Sequence, residues 1–495
     1  MKLQTNFKQA HRPDLGKYLR AIFFGAVLLG TSLSHAATSD TPAASLPVPA
    51  AQLTEIKIPG TTPMAAAAID LAAAGYTERE FYVEGKANRY RGVLPDTVTT
   101  GQIIDGNWPY RTRVLVRAPK AEKFNGFLVV EWANVTAGQD VDFAFAESYK
   151  YLLREGYAVA VVSAQRVGVD RLKTWSPERY GTLSVEADIT DPQGGGKIDD
   201  CGSSIACPGD PLSWDIFTQV SKALKDNAGD AAPMPGLAVK HVIALGESQS
   251  AMRLTCYYNA IQPLYKFFDG FVYLDLAGQL RPDINTPAIS VTTPATADLF
   301  PARTTSEYTR VWGVAGASHS SLYAAKYVDT LVLRDKSFPG KDGPLSFTQV
   351  LEQQQCKLSP LFSTVDTGLV LNAALESVHQ WILTGKSAAP TLAFERNALG
   401  AVVRDANGNA LGGVRLSQFV VPTAELSPNG ETIFCQLGGH HRDFTPAELK
   451  TRYGSHKAYV AQVRSAMKQV VDQGYVLPLD AEEVIRAAEN SGVAR

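Results

Sequence analysis

The chain has 495 residues, of which 45% are hydrophobic and 19% charged, with a net charge of −2. That balance argues against a nucleic-acid or anionic-membrane partner, because both require a surplus of clustered positive charge. Cysteine is sparse, five residues in all, and in an exported chain closely spaced cysteines are expected to close a small disulfide loop.

Residues 1–36 read as a secretory signal. Lys2, Lys8, Arg12, Lys17 and Arg20 stand against a single acid, Asp14. The uncharged apolar run 21–30 follows, and Ser34-His35-Ala36 supplies the small residues of a cleavage site. The run is shorter than the roughly 20 residues a spanning helix needs, and no later segment is long and apolar enough to span. The expectation is an exported protein, periplasmic or secreted, with no stable membrane insertion. Removing the leader makes the remaining chain more acidic. Residues 37–51, rich in Ala, Ser, Thr and Pro, read as a flexible linker, leaving 52–495 as one large folded domain.

Residues 80–84 and 112–117 favour strands and are expected to pair as an antiparallel sheet edge. Residues 126–133 form a nearly continuous apolar run, as in a strand buried on both faces. A helical pattern over 142–154 and a second apolar strand over 157–163 complete one βαβ unit. Residues 164–211 form a Gly-, Asp- and Pro-rich excursion, longer than an ordinary connection and expected to cover the site. Within it Cys201 and Cys207 are separated by five residues and are expected to pair. A helix over 212–225 and a strand over 240–245 follow, then further strands over 270–274, 287–292 and 309–314. Strands alternating with helices predict a mostly parallel, doubly wound α/β sheet.

The long C-terminal region, 320–495, carries helical patterns at 348–355, 372–384, 446–454, 458–474 and 481–490, with a polar, Gly-containing strand or loop region over 390–424. Cys256 is expected as a buried thiol, and Cys356 and Cys435 are able to pair. No internal repeat is present.

The chemistry gathers around Gly246-Glu247-Ser248-Gln249-Ser250. A serine that opens a helix is commonly only an N-cap. Here the serine lies on the corner between a buried strand and a helix, the arrangement of a nucleophile elbow, whose usual spelling is G-x-S-x-G. Serine replaces the last glycine. A base is expected in the loop after the last parallel strand, and His319 stands there, in Ala315-Gly-Ala-Ser-His319. His241 precedes a strand, His379 lies mid-helix, and His440, His441 and His456 come far downstream. The acid is expected after strand 287–292, where Asp298 is the nearest carboxylate; Asp275 and Glu307 are the alternatives. The oxyanion hole is assigned to the backbone N–H of Gln249 and to a donor near Asn134, in the loop after strand 126–133. Asn134-Val-Thr is also a glycosylation sequon, read as coincidence. No metal or organic cofactor is implied.

Several segments together resemble the large alpha/beta hydrolase domain proteins of bacteria. They are Gly75-Tyr-Thr-Glu-Arg-Glu-Phe-Tyr-Val83, Val130-Glu-Trp-Ala-Asn-Val-Thr136, Val162-Ser-Ala-Gln-Arg-Val-Gly-Val169 and Gly246-Glu-Ser-Gln-Ser250. Further on come Asp269-Gly-Phe271, Trp312-Gly-Val-Ala-Gly316 with His319, Asp405-Ala-Asn-Gly-Asn-Ala-Leu-Gly-Gly-Val-Arg415 and Tyr453-Gly-Ser-His-Lys-Ala-Tyr459. The resemblance runs through nearly the whole chain after the leader. It implies an α/β-hydrolase fold, with Ser248 and His319 on the catalytic positions and Gln249-Ser250 as the group's own spelling of the elbow. Relatives place a Glu soon after a Thr beyond strand 287–292, and this chain has Pro294 there. The expected activity is hydrolysis of a small-molecule or oligomeric carboxylic ester through an acyl-enzyme. The alternatives are acyl transfer on the same scaffold and a non-catalytic binding protein.

Overall fold

The computed structural model describes residues 45–94, 98–194, 196–198, 209–228, 232–353, 356, 360–427, 432, 435 and 438–495. The leader assigned to 1–36 and the Cys201–Cys207 pairing lie outside the described residues. Among those described, nine strands form one sheet: β1 (Gln52–Glu55), β2 (Tyr76–Arg91), β3 (Gln102–Pro119), β4 (Phe127–Trp132), β5 (Ala158–Val162), β6 (His241–Glu247), β7 (Gly270–Leu274), β8 (Ala288–Thr292) and β9 (Thr309–Gly313). Their order is β1-β2-β3-β5-β4-β6-β7-β8-β9. β1, β2 and β3 are antiparallel, and β3 meets β5 antiparallel; from β5 through β9 the strands run parallel. The doubly wound α/β expectation is met.

The parallel strands are mostly apolar because helices cover both faces of the sheet. Phe127, Val129, Ile243, Leu245, Val272, Ile289 and Trp312 belong to one core. Their neighbours in sequence Leu128, Val130, Val242, Ala244, Phe271, Tyr273 and Ala288 belong to the other. This is the two-residue period of a strand with no wet face. α1 (Phe143–Arg154) contributes to the first core, and the second is closed by α3 (Ser213–Asp226) and α4 (Gln249–Cys256). Cys256 is buried at the end of α4. α4 runs directly into a π-helical turn, Tyr257–Ile261.

Among the described residues, two helices of ten or more residues lie outside the expected ones. The excursion after β5 opens with α2 (Arg166–Trp175), where Gly168 packs so tightly that a Cβ would lie 1.8 Å from Asp140 Oδ1. α5 (Leu322–Asp335) follows β9; Ser321 caps it by accepting from the Ala324 N–H, and Ala324, Tyr327, Val328, Leu331 and Val332 are buried at helical spacing. Of the stretch expected as a flexible linker, residues 45–51 run along the body, where the Leu46 N–H donates to Leu264 O (2.8 Å).

In the C-terminal region α6 (Thr367–Thr384) packs on β7, β8 and α1, and a two-stranded ribbon of β10 (Ala424–Ser427) and β11 (His440–Asp443) is followed by α7 (Pro446–Tyr453), α8 (His456–Asp472) and α9 (Pro478–Asn490), of which α8 and α9 pack together. Val370, Leu371, Val463, Met467 and Val470 join the first core of the sheet. Residues 390–415 form bridged turns rather than a regular strand.

Cys356 and Cys435 form a disulfide across 79 residues. It ties the chain entering β11 to the segment at 360–363, whose backbone pairs with Gly439 and His441. The Ser363 hydroxyl donates to Gly316 O (2.6 Å), and its N–H donates to Ser318 Oγ (3.0 Å). The staple thus supports the loop that carries His319. Closing a loop of this length removes roughly 4 kcal/mol of chain entropy from the unfolded state. A Cys356→Ser, Cys435→Ser double variant is expected to lose about that much stability in denaturant unfolding. An unchanged midpoint would contradict the assignment.

Candidate active site

β6 ends at Glu247 and α4 begins at Gln249, so the whole reversal falls on Ser248. Ser248 has φ +55° and ψ −119°, a strained backbone for a residue with a Cβ, and strain of this kind gathers at functional sites. The turn is held from both sides: Ser248 N–H donates to Leu274 O (2.8 Å), and Ser248 O accepts from Met252 N–H (3.0 Å). Glycine is required at 246, where a Cβ would stand 3.0 Å from the Ser250 backbone. Serine at 250 has a purpose of its own. Its hydroxyl accepts from the Glu247 N–H (2.9 Å) and donates to Glu247 O (2.8 Å), closing the elbow on itself.

β9 delivers the histidine. After Gly313 the chain turns at Gly316, φ +74°, where the Phe419 ring occupies the space a Cβ would need. His319 then reaches back to the elbow, its Nε2 2.8 Å from Ser248 Oγ. Both residues are 6% exposed. Glu147 of α1 anchors this loop by accepting from the Ser321 N–H (2.9 Å) and hydroxyl (2.7 Å).

The acid corrects the expectation. Asp298 does not reach the imidazole: it accepts from the Val402 N–H (2.8 Å), pairs with Arg404 (2.8 Å), and its side chain is 45% exposed. It braces the turns at 390–415. Glu307 is exposed, and Arg310 Nη1 bonds to its backbone carbonyl. The carboxylate on His319 is Asp275, the other alternative, whose Oδ2 lies 2.6 Å from Nδ1. The physical reason is the bend after β7, where Asp275 and Leu276 both have positive φ and turn the carboxylate back over the sheet. Asp275 is fully buried and accepts from the Thr293 N–H (3.1 Å), the Thr293 hydroxyl (2.5 Å) and the Thr296 hydroxyl. The segment after β8 therefore supplies hydroxyls to the acid rather than the acid itself.

Asn134 is the second correction. Its backbone N–H donates to Val141 O (3.0 Å), so it is not available to an oxyanion. Its side-chain amide donates instead to the carbonyl (2.9 Å) and the carboxyl Oε2 (2.8 Å) of Glu247. At 1% exposure it cannot carry a glycan. The amide next to it, Val135 N–H, meets Gln249 Oε1 at 3.3 Å, while Gln249 Nε2 donates to Gln165 Oε1 (2.8 Å). Gln249 is the first residue of α4, whose first-turn amides project from the helix end beside Ser248.

Charge at the site follows from burial. Burial opposes the charged imidazole of His319, but Glu247 and Asp275 outweigh it and raise its pKa to about 9. Burial also works against the Asp275 carboxylate, yet His319 and the two threonines hold it below the usual range. Glu247 is pushed up by burial to about 8 and Glu147 to about 7.

His379 and His441 serve packing. His379 Nδ1 lies 2.6 Å from the Tyr157 hydroxyl under the stacked ring of Phe127, and His441 Nδ1 bonds Phe362 O (2.7 Å).

The family described as Alpha/beta hydrolase domain matches residues 44–486. No curated protein matches the chain. Among solved structures, an acetyl xylan esterase candidate from Bacteroides fragilis is 15% identical, over 46% of this chain and 48% of its own, with a TM-score of 0.23. The rice cell wall degrading esterase LipA from Xanthomonas oryzae is 11% identical over 50% and 51%, TM-score 0.23. Candida antarctica lipase A is 12% identical over 45% and 40%, TM-score 0.20. The chain thus spans about half the length of the first of these structures.

Proposed function

The chain belongs to the alpha/beta hydrolase domain family, and on that premise we propose that it is an exported serine hydrolase of carboxylic esters. One observation carries the proposal: the unbroken hydrogen-bonded line from Ser248 Oγ through His319 to Asp275, set on a strand–turn–helix elbow. Ser248 Oγ attacks the ester carbonyl while its proton passes to His319 Nε2, and the π pair moves onto the oxygen. The Gln249 N–H and, in place of Asn134, the Val135 N–H donate to that oxyanion; Gln249 Oε1 yields Val135 to it. The tetrahedral species collapses, the alcohol leaves with the proton from Nε2, and water activated by the same nitrogen releases the acid. Asp275 keeps the Nδ1 proton in place throughout. Export is supported by the leader-like residues 1–36 and by the Cys356–Cys435 disulfide, which suits an oxidising compartment.

A fluorophosphonate probe is expected to form one adduct, on Ser248, as the protein hydrolyses short and medium aryl esters to free acid and alcohol. Turnover with no adduct at Ser248 would overturn the proposal. The pH profile follows from the base. Nε2 must be bare to accept a proton, and its neighbours hold His319 up to about 9. kcat/KM is therefore expected to rise with pH into the alkaline range and to be lost in acid. A profile flat from acid to alkaline pH would remove His319 as the base.

A further inference from the structure

A buried carboxyl group that the reaction above does not use lies against the same imidazole. Glu247 is 3% exposed. Its Oε1 is 3.2 Å from His319 Nε2, the nitrogen that Ser248 Oγ also approaches. The side chain is fixed in this place. Asn134 Nδ2 donates to Oε2, and the backbone on either side is clasped by Asn134 and by the Ser250 hydroxyl. The contact is an ion pair when the ring is protonated, so a carboxylate here favours the imidazolium, and the charge of Glu247 and the protonation of His319 are linked.

We propose that Glu247 is a positioning residue that acts through His319, its buried carboxylate beside Nε2 favouring the imidazolium and so setting the pH at which Ser248 is activated. The inference rests on the serine-hydrolase reading. When Ser248 attacks, the Oγ–H bond breaks, the Oγ–C bond forms, and the proton arrives on Nε2. The proton on Nε2 then passes to the departing alcohol oxygen on collapse, with Glu247 Oε1 beside the ring as a fixed charge. Glu247 gains and loses nothing over the cycle. Its charge does, however, favour the imidazolium before the reaction begins, so the ring stays occupied to higher pH than Asp275 alone would impose.

The other charged groups facing this pair come from three elements. Asp275, after β7, holds Nδ1; Glu147, on α1, acts on both Glu247 and His319; Arg303, between β8 and β9, acts on Asp275. None of these touches Nε2, which leaves Glu247 as the group that can be altered there without breaking the Asp275 contact.

Glu247→Gln keeps the shape and the hydrogen bonding to Asn134 but removes the charge. The readout is the rate of Ser248 phosphonylation by an uncharged fluorophosphonate against pH, with kcat/KM for an uncharged aryl ester beside it. The acid limb of both is expected to move down by about one pH unit or more. Slower labelling with an unmoved limb would mean that Glu247 is only structural, and would overturn the inference while leaving the esterase reading intact. Failure of the parent protein to label at Ser248 would sink both. Should Glu247→Gln not fold, Asn134→Ala provides the same test. It removes the hydrogen bond that favours ionised Glu247, so the limb should move in the same direction by a smaller amount, and an unmoved limb there counts equally against the inference.

Discussion

Replacing Ser248 by Ala is expected to lower kcat for aryl-ester hydrolysis by about a million-fold, the loss that follows when a serine hydrolase is deprived of its nucleophile. The size of the effect comes from removing a whole route. Without Oγ there is no acyl-enzyme, and what survives is binding plus whatever the oxyanion donors lend to attack by water. Alanine fits the turn, since the elbow is held by the backbone contacts of Ser248 to Leu274 and Met252 and by the Ser250 hydroxyl, none of which uses Oγ. The variant should therefore melt with the parent and still bind substrate. Equal turnover in the two proteins would remove Ser248 from the chemistry.

The second large effect belongs to Asp275. Asp275→Asn is expected to cost about ten-thousand-fold in kcat, or roughly 5.5 kcal/mol of transition-state stabilisation. The carboxylate accepts from His319 Nδ1 and from three donors of Thr293 and Thr296. An amide in the same place turns an N–H toward one of them. If that partner is Nδ1, the imidazole is forced into the tautomer with hydrogen on Nε2, which cannot take the serine proton. Asp298→Asn, by contrast, breaks only the Arg404 and Val402 contacts and is expected to leave turnover near that of the parent. The reverse order of effects would return the acid to Asp298.

The comparison of these two aspartates explains what was legible in the chain. Ser248 and His319 could be found because each sits in a short pattern with its own geometry: an apolar strand breaking at a glycine, and a small-residue loop after the last parallel strand. The parallel strands were legible for the same reason, since burial on both faces leaves a nearly continuous apolar run. Asp275 was harder to place. Its role depends on two successive positive φ values after β7 and on hydroxyls arriving from the neighbouring strand, and neither leaves a local mark. Asn134 was misjudged because its amide is claimed by a bridge to Val141, seven residues on. Glu247 lay in plain view inside the elbow, yet only the fold brings it against Nε2. α5 should have been read: the serine cap and the i, i+3, i+4 spacing of its buried residues are both present in the sequence.

The sheet that is apolar on both faces also divides the molecule by its tolerance for change. Ser248, Asp275 and His319 all stand on turns beyond the carboxyl ends of parallel strands, while the strands bury their side chains in two separate cores. A substitution at a turn alters what the pocket accepts and leaves the cores intact; a substitution in a strand spends stability and leaves the chemistry where it was. Selection for a new ester and selection for a sturdier protein would therefore act on different residues of the same chain. Directed evolution of this scaffold can treat them as two nearly independent searches.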